Sequence, residues 1–115
     1  MSDLKKKIVP ILKRHGIGMA YLFGSHARGT AGPMSDIDIA VLTKEGVNFD
    51  QIENELYHDL AIRLHTDKVD LIDISQAKPL LAHRAVVCGE PILDHDPHEE
   101  AVLHTRIVQR YEDIK

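Results

Sequence analysis

The sequence has no tryptophan, a single cysteine and few aromatic residues of any kind, and each shortage narrows what the chain can be. With one cysteine, Cys88, no disulfide can close within the chain, which fits a reducing compartment and a cytoplasmic location. Cys88 lies in the aliphatic stretch Ala85-Val86-Val87 and reads as a small core residue rather than a nucleophile. Any core must pack through aliphatic side chains. Long apolar runs are missing too: none approaches the ~18 residues of a membrane span. The start, Met1 to Lys7, carries a basic cluster, but Pro10 and Lys13-Arg14 break the apolar stretch behind it, so no signal-peptide pattern forms. An excess of positive charge is also lacking. A formal net charge of -4 argues against general affinity for a nucleic-acid backbone. Lys5, Lys6, Lys7, Lys13 and Arg14 do crowd the start, where they read as the solvated face of a helix.

The 115 residues present are enough for one compact domain. Asp3 to His15 reads as a helix, with Leu4, Ile8, Ile11 and Leu12 at helical spacing, Pro10 inside it and Gly16 as its stop. Ile17 to Phe23 is an apolar run of strand length, and Ser25 to Gly29 can start a short helix. Ile37 to Leu42 alternates as a second strand, with Asp36, Asp38 and Ala40 on one face. Asn48 or Asp50 caps a helix reaching about His65, followed by a third strand over Val69 to Ile74. Gln76 to Val87 reads as a helix with Pro79 in its first turn, and Ile92-Leu93 as a short edge strand. Asp96, Pro97 and Glu99 then open a last helix, whose stripe is Leu103, Ile107, Tyr111 and Ile114. The alternation predicts an α/β fold with no repeats and no linker.

The chemistry concentrates in three short stretches. Asp36 and Asp38 stand two apart on a strand, so both carboxylates share a face, with attachment points ~6.6 Å apart. Hard divalent cations such as Mg²⁺ take oxygen ligands of this kind, although Asp-x-Asp alone at a strand start is more often just a solvated loop end. Asp70 begins another strand and faces opposite to Val69 and Leu71, while Asp73 faces their way, which favours Asp70 as a third carboxylate. Upstream, Gly24-Ser25 marks a strand-to-helix junction, where glycine admits a phosphate, backbone N–H groups are free and the serine adds a hydroxyl. Arg28 offers a charged fork for phosphate. A P-loop is excluded because Thr30 stands where its lysine must be, and no G-x-G-x-x-G occurs. An EF-hand is excluded by Ala40 and Val41.

Taken together, Gly24-Ser25-His26-Ala27-Arg28-Gly29, Ser35-Asp36-Ile37-Asp38 and Val69-Asp70-Leu71 resemble the minimal nucleotidyltransferases of the DNA polymerase beta superfamily. The resemblance implies a mixed central sheet flanked by helices, in one domain with a core over 17–94 and a C-terminal helix over 96–115. It implies that Asp36, Asp38 and Asp70 hold two Mg²⁺ ions on a nucleoside triphosphate such as ATP and act as the catalytic carboxylates. Gly24, Ser25 and Arg28 then bind its phosphates, and nucleotide passes to a hydroxyl.

Larger relatives add a domain for the acceptor, so here the acceptor is expected from another chain, a homodimer or a small molecule. Many minimal nucleotidyltransferases resemble antitoxins encoded beside a HEPN-domain ribonuclease, which implies AMP transfer to a tyrosine of such a toxin. Neutralisation by binding alone and modification of a small molecule are the alternatives. Eight histidines offer no four-ligand zinc set with Cys88 and read as surface or capping residues, His26 included.

Overall fold

A computed structural model describes residues 3–24 and 36–113 of the chain. Helix α1 (Asp3–Arg14) turns Ile8, Ile11 and Leu12 inward and runs on through Pro10. It ends at Gly16, whose φ of 80° lies in the left-handed region that glycine adopts without side-chain strain. Strand β1 (Ile17–Phe23) pairs antiparallel with β2 (Ile37–Thr43). Helix α2 (Phe49–Leu64) carries the chain over to β3 (Val69–Asp73), which lies parallel to β2 as such a crossover permits. The Asn48 side chain caps α2 by accepting from the Asp50 N–H. Helix α3 (Pro79–Cys88) then leads to β4 (Glu90–Pro91), antiparallel on the far side of β1. The resulting order is β3-β2-β1-β4, a mixed sheet.

Both faces of the sheet are covered. On one, Ile17, Leu22, Ile39 and Val41 pack with Ile8, Leu12, Leu56 and Leu60 of α1 and α2. On the other, Tyr21, Phe23 and Ala40 pack with Ala82, Ala85 and Val86 of α3. Helix α4 (Pro97–Asp113) closes that second face with Leu103 and Ile107. Its start is capped as the sequence indicates, because Asp96 Oδ1 accepts from the N–H groups of His98 and Glu99. Burying aliphatic surface on both faces is what holds the sheet, at about 25 cal/mol per Å².

Three expectations need correction. Helix α3 begins at Pro79 rather than Gln76, because Asp73 folds the intervening residues into a turn: its carboxylate accepts from Ser75 and its carbonyl from Gln76 and Ala77. The edge strand is Glu90–Pro91, two residues before Ile92-Leu93. Ile92 instead enters the core while its N–H donates to Ala20 O. Cys88 is exposed, not buried. It follows Arg84 by one helical turn on the outward side of α3, while Ala82, Ala85 and Val86 point in. The short helix expected over Ser25 to Gly29, and Ile114 of the last stripe, lie outside the described residues.

Candidate active site

The antiparallel register sets Phe23 opposite Asp38, which brings the next residue, Gly24, against the Asp38 side chain. Gly24 has a φ of 74°, and a Cβ there would collide with Asp38 Oδ2. Two constraints therefore demand glycine at this point: the backbone conformation and the carboxylate lying over the Cα. On its other side Asp38 is in parallel register with Asp70. The Ile37 N–H donates to Lys68 O at 2.8 Å, fastening the start of β2 to the start of β3.

Alternation then decides which side chains meet. Ile37, Ile39 and Val41 enter the core under α1 and α2, so Asp38 shares its face with Ala40, on the α3 side. In β3, Val69 and Leu71 likewise belong to the α1–α2 side, and Asp70 shares the opposite face with Ile72. Asp38 and Asp70 are thus neighbours on adjacent strands, ~4.8 Å apart in the direction of hydrogen bonding. Asp36 precedes β2 by one residue, two before Asp38. Asp36 and Asp70 are exposed, and Asp38 is half-buried. Asp73 is committed elsewhere, since its carboxylate accepts from the Ser75 N–H at 3.1 Å and hydroxyl at 2.8 Å.

Among the described residues no three His, Cys, Asp or Glu side chains are gathered closely enough to enclose a metal ion as they stand. The donor set nevertheless suits a hard cation. It is all carboxylate, sits at one end of the sheet and is reachable from solvent. Gly24, with no side chain of its own, leaves room for the Asp38 carboxylate against a backbone that a phosphate can approach. Ser25 and Arg28, the other expected phosphate ligands, lie outside the described residues, as does His26.

Beside the middle of β1 lies a polar group that sequence reasoning places at the surface or in a cap. The His95 side chain is only 2% exposed. Its Nε2 accepts from the Ala20 N–H at 3.2 Å, so Nδ1 carries the proton and donates to Glu100. The His95 ring also meets Tyr21 edge-on, with centroids 5.1 Å apart. Tyr21 is 1% exposed and its hydroxyl has no hydrogen-bond partner among the described residues. Burial, with the Glu100 charge adding to it, pushes the Tyr21 pKa up to about 12. Nothing in the sequence signals this group, because the need for it arises only once β4 stops short beside β1.

The sequence pattern of the family described as Polymerase beta, Nucleotidyltransferase matches residues 6–98. The chain belongs to this nucleotidyltransferase family. The matched span contains Gly24, Asp36, Asp38 and Asp70, so every described residue of the site lies within it. Protein adenylyltransferase MntA of Shewanella oneidensis is 32% identical over 114 residues, covering 96% of this chain and 79% of MntA. Among solved structures, a toxin–antitoxin complex with AMP-PNP contains a chain that aligns with a TM-score of 0.84 at 28% identity. The alignment covers 96% of this nucleotidyltransferase and 88% of that chain. Another neighbour is a structure of tri-AMPylated Shewanella oneidensis HEPN toxin in complex with MNT antitoxin. It aligns with a TM-score of 0.77 at 26% identity, over 96% of this chain and 86% of that one.

Proposed function

We propose that this nucleotidyltransferase is an antitoxin that moves AMP from ATP onto a tyrosine hydroxyl of a HEPN-domain toxin. The observation that carries the reading is the contact between Gly24 and the Asp38 carboxylate, with Asp70 in register on the next strand. A glycine backbone beside one carboxylate, with a second carboxylate in register, supports a site for a phosphate and a cation. The likeness to MntA and to toxin–antitoxin complexes supports the choice of donor and acceptor.

In this mechanism Gly24 and Ser25 hold the β- and γ-phosphates, and Arg28 neutralises phosphate charge. Asp36, Asp38 and Asp70 would hold two Mg²⁺ ions, which would supply charge neutralisation for the triphosphate and ease ionisation of the attacking hydroxyl. Asp70 orients the tyrosine hydroxyl and takes its proton. The tyrosine oxygen bonds to the α-phosphorus, the bond from that phosphorus to the bridging oxygen breaks, and pyrophosphate leaves. Alignment and charge neutralisation supply most of the acceleration.

The test is to incubate the full chain with ATP, Mg²⁺ and the HEPN-domain product of an adjacent gene, and to weigh the partner by mass spectrometry. AMP additions on a tyrosine are expected with wild type and absent with Asp38→Asn. An unmodified partner sinks the reading. Full toxin neutralisation by both Asp36→Asn and Asp38→Asn shows that binding alone suffices.

A further inference from the structure

On the face of the sheet away from the carboxylates, α1 and α2 enclose an open groove of about 320 Å³. Its cations are Lys6, Lys7 and Arg14 from α1 and Arg63 from α2. Between them run Pro10, Ile11 and Ile62, and Ile62 is 60% exposed, the most exposed of the large hydrophobic side chains described. The one carboxylate in the groove is Asp59, and it is already engaged. His15 Nε2 lies 2.7 Å and Arg14 3.4 Å from its Oδ2. That pairing, led by the His15 hydrogen bond, holds the Asp59 carboxyl below the usual carboxylate range against the desolvation that raises it. Among the described residues no ion pair joins Lys6, Lys7 or Arg63 to a carboxylate, whereas Lys5 turns away to pair with Glu90.

A concentrated positive charge around an apolar strip, on a chain of net charge -4, is not what a merely solvated helix face requires. Nucleic acid fits it poorly, because no aromatic side chain lines the groove to stack on a base. We infer that the α1–α2 groove is a docking site for an acidic, apolar-striped segment of a partner protein. Apolar side chains of that segment cover Ile62 and Pro10, and its carboxylates meet Lys6, Lys7 and Arg63. The groove lies on the opposite side of the sheet from Asp38 and Asp70, so the segment and a nucleotide bind together without competing.

The test reads binding alone and is independent of nucleotide transfer. The ¹⁵N-labelled full chain is titrated with a synthetic peptide in which leucines at helical spacing are flanked by glutamates. The amide signals of Ile11, Ile62 and Arg63 are expected to move. Lys6→Glu with Arg63→Glu is expected to weaken binding about tenfold, more at low salt than at high. Ile62→Ser is expected to weaken it about fivefold, and thermal melts report whether either variant has lost its fold. The inference is overturned if the groove signals stay still, or if oligouridine moves them equally whether residue 62 is Ile or Ser. It is also overturned if they move with protein concentration alone, which would make the occupant a second copy of the chain.

Discussion

At single positions the most constrained residue of the site is Gly24. Its left-handed backbone and the Asp38 oxygen over its Cα act together, so Gly24→Ala is penalised twice. The conformation alone costs about 1–2 kcal/mol, and the added methyl pushes the Asp38 carboxylate from its place. Transfer is expected to fall about a hundredfold, as small misplacements of reacting groups do, and a kcat measured beside a thermal melt separates the two losses. Tyr21 presents the opposite case. Its buried hydroxyl has no hydrogen-bond partner among the described residues, so Tyr21→Phe removes an uncompensated desolvation and is expected to stabilise by about 1 kcal/mol. The pH dependence has a definite sign. Folded Tyr21 keeps its proton to about pH 12, whereas the ordinary value is 10.0, so the unfolded chain ionises first and stability falls as pH rises between them. Urea melts across that range should show the fall in wild type and a flatter profile in Tyr21→Phe. Equal slopes would remove Tyr21 as the cause.

Between elements, the short β4 leaves β1 needing another partner, and His95 supplies it. Ala20 O takes the Ile92 N–H, while the Ala20 N–H goes to a side chain rather than to a strand. His95→Ala therefore strands a buried backbone donor and releases Glu100 from its pairing, at an expected cost of about 1–3 kcal/mol. Hydrogen exchange at Ala20 should accelerate more than exchange at Ile39 in the sheet centre, and equal acceleration would refute a local role. This strap shows where a reading of residues in order stops. Helices α2 and α4 and strands β1 and β2 are legible because capping side chains and apolar periodicity are local properties. The pairing of Asp38 with Asp70 is half legible. Alternation tells which face each side chain takes, but which strands are neighbours, and in what register, is decided only in the assembled sheet. His95 and Cys88 mislead for the same reason, since burial of one and exposure of the other depend on elements distant in sequence. The lysines of α1 are likewise ordinary along the chain and become a groove only beside α2.

For the whole molecule, the sheet keeps its two jobs apart: aliphatic packing in the middle, carboxylates at one end. Asp36 and Asp70 are exposed there and Asp38 is half-buried beside Gly24, so the end that suits a cation contributes like charge rather than packing. Like charges on neighbouring strand positions oppose each other by about 0.2–1 kcal/mol. Removing one should therefore stabilise the metal-free protein while it disables the enzyme. Asp70→Asn is expected to melt about 1–5 °C higher than wild type in the presence of a chelator, given the stability-to-temperature scaling of a domain this size. Adding Mg²⁺ and ATP should raise the melting temperature of wild type, since a ligand that binds only the folded state stabilises it, and should raise that of Asp70→Asn much less. The two curves are then expected to cross in order: variant above wild type without the cation, below it with saturating Mg²⁺ and ATP. If Asp70→Asn melts lower in both conditions, Asp70 supports the fold rather than the cation, and the third carboxylate of the site must be sought elsewhere.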